Sequence, residues 1–234
     1  MKSYFIIFIL LIIIIIIYLL EIIIYDEDIH DIITYNQLQK RLKKGDILFS
    51  HGTNILSYIV SITNNSKFSH VIMATDSKNI IQNLPVTLYN IKNKNDVDIC
   101  SLTKFINNGY INKLYYLPIS DNFNKHIDFD SVLKDKYSFS IYQFMNSMLI
   151  NNDNIYDDNI NHHCSSTIAK IIKKNISNII KNPIQYTPKE LFKDIKEMTP
   201  YYDKLYEVKL NKYNTLSFYK KLKYMFMIYD ESYI

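Results

Sequence analysis

Hydrophobic residues fill every position from Tyr4 to Leu20, and after Glu21 the run resumes through Ile24. As a helix, residues 4–24 would rise roughly 31 Å, about one hydrocarbon core. Lys2 ahead of the run would also suit the start of a cleaved signal peptide. Against that, the apolar stretch exceeds the roughly 7–15 residues of such a core. No small residue for cleavage follows it, since Glu21 to Asp31 contains no Ala, Gly or Ser. The pattern predicts an uncleaved single-pass anchor over residues 4–24. Lys40, Arg41, Lys43 and Lys44 downstream favour a cytoplasmic main domain, because acidic residues such as Asp26–Asp28 count little in orientation.

Beyond the anchor the periodicities are shorter. Residues 25–44 read as a linker and a short amphipathic helix, Tyr35 to Leu42, that stops near Gly45. Strands are predicted at Ile47–Phe49, Ser69–Thr75, Asn79–Leu84, Asp98–Cys100, Lys113–Ile119 and Leu205–Leu210. Ser69–Thr75 is apolar on both faces and so central. Ile55, Tyr58, Ile59 and Ile62 recur at helical spacing and predict a buried stripe. Further helices are expected over Phe139–Ile150, and from Cys164 onward with Ile168, Ile171, Ile172 and Ile176 inward. A last one starts at Thr187-Pro188-Lys189-Glu190, a capping box with proline at the first helical position. These elements predict one α+β domain over residues 45–200, with 201–234 as its C-terminal extension.

Composition narrows the function classes. The net charge of +4 is carried almost wholly by lysine, Arg41 being the single arginine. A sequence-specific nucleic-acid reader, which depends on bidentate arginine contacts, is disfavoured. Two cysteines, Cys100 and Cys164, cannot form a disulfide framework. The abundance of Ile, Asn and Lys reflects AT-rich coding, and the Asn runs carry no functional weight. The Lys/Tyr/Phe alternation of the tail might meet anionic lipid, but a wet charged face explains it more simply.

Cys164 and His70 carry the candidate chemistry. Cys164 begins a helix, where unpaired N–H groups and the positive end of the helix dipole favour a thiolate and can receive an oxyanion. His70 sits on the central strand, a rigid mount for a general base, and Gln82 on the next strand could orient its ring. Each alone is more simply a buried core residue. His51 is a second candidate base, in a Gly-containing loop after the first strand. His30 and His126 lie in polar loops. His162 and His163 beside Cys164 suggest zinc, but three consecutive residues cannot converge on one ion without strain, so no metal or other cofactor is expected.

Four pieces of sequence, in order, resemble the permuted NlpC-type papain-like family. They are Gly45-Asp46-Ile47-Leu48-Phe49, Phe68-Ser69-His70-Val71-Ile72-Met73, His163-Cys164-Ser165-Ser166 and Tyr186-Thr187-Pro188-Lys189-Glu190-Leu191. That family includes YiiX-like bacterial proteins, lecithin retinol acyltransferase and a set of poxvirus proteins. The resemblance covers roughly residues 45–195. It implies a central antiparallel sheet flanked by helices, with Cys164 as nucleophile, His70 as base and Gln82 in the third polar position. Gln82 replaces the family's frequent Glu and cannot neutralise an imidazolium, and Ile72 replaces a frequent Gly. The expectation is a membrane-anchored thiol hydrolase or acyltransferase acting on lipid, lipid-modified or peptide substrates. The alternative is a catalytically inactive viral membrane protein that keeps the fold as an interaction module. Oligomeric state is not legible.

Overall fold

The computed structural model describes residues 31–52, 55–82, 98–107, 111–121, 127–129, 164–176, 180, 183, 186–198 and 200–210. The expected anchor (4–24), the helix over 139–150, the tail, and His30, His126, His162 and His163 lie outside them. Among the described residues no helix is long and apolar enough to cross a membrane.

Seven strands form one mixed sheet: β1 (Ile32–Thr34), β2 (Ile47–Gly52), β3 (His70–Ala74), β4 (Asn79–Gln82), β5 (Asp98–Ser101), β6 (Ile111–Leu117) and β7 (Tyr206–Lys209), in the order β1-β7-β6-β2-β3-β4-β5. All neighbours are antiparallel except β1 and β7, which run parallel. The family resemblance implied a central antiparallel sheet; the observed sheet is mixed, because β1 pairs parallel with β7. The segment read as linker supplies its first strand. Five helices accompany it among the described residues: α1 (Tyr35–Arg41), α2 (Ile55–Thr63), α3 (Leu102–Asn107), α4 (Cys164–Asn175) and α5 (Pro188–Glu197).

Strand alternation divides the core into two layers. Ile47, Phe49, Val71, Met73, Ile81, Tyr115 and Leu117 face α4 and α5, meeting Ile168, Ile171, Ile172, Leu191, Phe192 and Ile195. Leu48, Ile72, Ala74, Ile80, Leu114 and Tyr116 face the other way, toward Leu38 of α1 and Leu102 and Phe105 of α3. α5 is capped as its sequence dictates: Thr187 Oγ1 accepts from the Glu190 N–H, and Glu190 accepts from the Thr187 N–H.

α2 departs from its pattern. Tyr58 is buried as expected, but Ile59 and Ile62 are 37% and 39% exposed, and Val60 and Ser61 turn inward instead. The reason is polar: the Ser61 hydroxyl bonds His51 Nδ1 at 3.0 Å, and Tyr58 meets the same ring edge-on. Turning Ser61 outward would sacrifice this buried bond.

One turn fixes the start of β2. Gly45 adopts φ +90°, and a Cβ there would stand 2.3 Å from Ile127 Cδ1. Only glycine suits both the dihedral and the space. The next residue, Asp46, is fully buried and bonded by three donors: the Lys43 N–H, the Ile119 N–H and the Tyr116 hydroxyl, each at 2.8 Å. It ties the turn before β2 to the end of β6.

Candidate functional site

α4 opens at Cys164 because Ser165, Ser166, Ile168 and Ala169 behind it all find buried positions, with Ser165 Oγ donating to the Tyr186 carbonyl. The helix lies across β3, and Cys164 joins the layer that holds Val71 and Met73. Cys164 is buried, and the backbone N–H groups of Val71 and Ser165 lie near enough to its sulfur to favour the thiolate. Ala74 exchanges its hydrogen bonds with the Gly45-Asp46 turn, on the β2 side, so by alternation Val71 and Met73 turn toward β4. The β3–β4 pairs are Met73–Ile81 and Ala74–Ile80, and Val71 lies past them. The sulfur lies against β3 beside Val71, on the face opposite the His70 side chain.

The His70 ring takes the opposite face. It packs against Phe105 of α3, ring centroids 6.1 Å apart, on the side that holds Ile72 and Ala74. Its Nε2 is buried with no hydrogen-bond partner among the described residues. Gln82 shares that face and is 3% exposed; its Nε2 donates to Cys100 Sγ at 3.2 Å, while its Oε1 is buried without a hydrogen-bond partner among the described residues. The structure therefore groups His70, Gln82 and Cys100 on one face. It sets Cys164 on the other.

Burial governs the electrostatics. It pushes the Cys164 thiol up to about 11, the nearby N–H groups and the Ser165 side chain offsetting only part of the effect, and it lowers His70 to about 4. At neutral pH the pair is a thiol and a neutral imidazole, not an ion pair. The alkylation rate of Cys164 by iodoacetamide in the full chain is therefore expected to climb about tenfold per pH unit from about pH 7 to 10. Peptide mass spectrometry at graded pH measures it, and a plateau below about pH 9 would mean an already ionised sulfur.

His51, the other candidate base, is committed to α2 through Ser61, and burial with nearby Lys113 holds it down to about 3. Among the described residues no three of His, Cys, Asp and Glu cluster as metal ligands would. Asp46 and Cys100 were not singled out from the sequence. The signal for Asp46 was present: an acidic residue set directly before an apolar strand must be either solvated or fully bonded. Cys100 gave no such signal, because its contact with Gln82 depends on strand register.

No protein-family model matches the chain, and no curated protein matches it.

Proposed function

We propose that the chain is a membrane-anchored cysteine hydrolase or acyltransferase of the permuted papain-like kind, tethered by residues 4–24, with Cys164 as nucleophile and His70 as base. The observation that carries this reading is Cys164 at the start of α4, packed beside Val71, the residue next to His70. The thiol packs in the layer on one face of β3, and the His70 ring lies on the other. This reading requires the His70 side chain to turn around the β3 edge to meet the thiol. Its Nε2 has no hydrogen-bond partner among the described residues, which costs about 1–3 kcal/mol, so no bond through that nitrogen holds the ring in place.

The reaction follows from these groups. His70 takes the Cys164 proton as sulfur attacks the carbonyl of an amide, ester or thioester, and N–H groups at the start of α4 receive the developing oxyanion. The imidazolium returns the proton to the departing amine, alcohol or thiol, leaving an S-acyl Cys164. Water or an acceptor amine then attacks the acyl carbon, the S–C bond breaks and the thiol is restored. The tether keeps this chemistry at a bilayer surface, which favours lipid or lipid-modified substrates.

A specific observation favours a second reading: the ring and thiol lie on opposite faces, both neutral. A non-catalytic interaction module would need nothing more. Incubating the full chain in lipid nanodiscs with a fatty acyl thioester, followed by intact-mass analysis, separates the two. The enzyme gains one acyl mass on Cys164, and Cys164→Ala gains none. No adduct, or an equal adduct on Cys100, would support the module.

A further inference from the structure

Gln82 stands between two diagonal neighbours on its face of the sheet. Cys100 pairs with Ile80 across β4–β5, two positions from the Gln82–Asp98 pair. On the other side, the β3–β4 register continued by one step sets Gln82 opposite Ile72, which makes His70 its diagonal neighbour there. Diagonal pairs of this kind lie about 7–8 Å apart at Cα, within reach of a glutamine side chain. Gln82 bonds Cys100 with its amide nitrogen, and the two atoms that would satisfy each other, Gln82 Oε1 and His70 Nε2, are both buried and have no hydrogen-bond partner among the described residues.

We infer that Cys100 is a positioning residue that holds Gln82 away from His70, so that the basicity of the proposed catalytic imidazole is set by which neighbour Gln82 bonds. A thiol sulfur is a weak acceptor, so the bond that restrains Gln82 is readily exchanged. Once released, the amide can turn its oxygen to a His70 N–H. That hydrogen bond favours the imidazolium and raises the ring's affinity for a proton. Among the described residues, the polar and titratable groups on the elements packed against β3 near His70 include Ser50 of β2, Gln82 of β4, Cys100 of β5 and, on the other face, Cys164 of α4. Lys104 on α3 is exposed, and burial alone accounts for the ring's low basicity. Gln82 is thus the group able to change it without altering burial.

The inference rests on His70 as the base, but its test reads the ring and not turnover. The full chain, with 15N-labelled histidine in detergent micelles, is titrated by NMR as wild type, Cys100→Val, Cys100→Ser and each variant combined with Gln82→Ala. In Cys100→Val, which removes the acceptor and keeps the volume, the His70 midpoint is expected to move up by at least about half a pH unit. Cys100→Ser, which restores an acceptor for the amide, should leave it in place. In the Gln82→Ala background, Cys100→Val should have no effect. An unchanged midpoint in Cys100→Val, or a rise that persists without Gln82, would overturn the inference. Loss of the acyl adduct in every protein, with the midpoint shift intact, would instead remove the enzyme reading and leave this coupling standing.

Discussion

Replacing His70 by alanine is expected to slow acylation of Cys164 about 10³-fold at neutral pH, and the deficit should shrink as the pH approaches 11. A positioned general base contributes about 10²–10⁴ in rate. The need is acute here because a thiol pushed up to about 11 is ionised only to about one part in 10⁴ at pH 7. Sulfur must lose its proton during attack. As hydroxide takes over that task at high pH, the difference between wild type and variant narrows. The measurement is the single-turnover rate of acyl-adduct formation between about pH 7 and 10.5. A deficit constant across that range would mean that His70 acts through packing. The fold should tolerate the change: alanine opens a cavity beside Phe105 but also removes an unsatisfied nitrogen, and the two partly offset.

Asp46→Ala is expected to destabilise the domain by about 2–4 kcal/mol, because three buried donors lose their acceptor together. Asp46→Asn gives the sharper result. Burial raises the Asp46 carboxyl from 3.8 to about 6, although the bonds from Ile119, Lys43 and Tyr116 pull the other way. The folded state therefore holds this proton more tightly than the unfolded chain does. The stability it contributes is fully present below about pH 4 and is lost as the pH rises through about 6, a change of about 3 kcal/mol. Asparagine does not titrate, so that fall between about pH 4 and 6.5 should vanish from its urea-unfolding curves. A wild-type protein that grows more stable across the same interval would show that the three bonds outweigh burial.

Much of the fold was legible in local pattern. Six of the seven strands followed from alternation, and α5 from its capping box. The elements that escaped depend on partners distant in sequence. Ile32–Thr34 is only three residues long and becomes a strand by pairing with Tyr206–Lys209 at the far end of the described chain. Leu102–Asn107 is a six-residue helix whose start is fixed by the Ser101 hydroxyl accepting from the Lys104 N–H. α2 showed its period but not its orientation, because the bond from Ser61 to His51 outweighed the apolar stripe.

The candidate site was legible in the same partial way. A period of two guarantees that His70 and Val71 face opposite sides of β3. It does not say which side α4 covers. That choice is made by the whole α4–α5 layer, and it gave Cys164 the Val71 face. Likewise, Gln82 was recognisable as a polar group next to His70. Only the register of β5 shows that a sulfur already holds its amide.

The parallel zipper of β1 and β7 has a mechanical consequence. If residues 4–24 are embedded in a bilayer, only seven residues separate them from β1, so any drag on the membrane reaches the sheet at once. A pull along the β1 axis would load its rungs simultaneously, in shear, instead of peeling them one after another. The Lys204–Asp31 ion pair and the Glu207 N–H to Asp31 carbonyl bond stand at the point where such a force enters. A tether entering there would meet the sheet along a hydrogen-bonded strand pair.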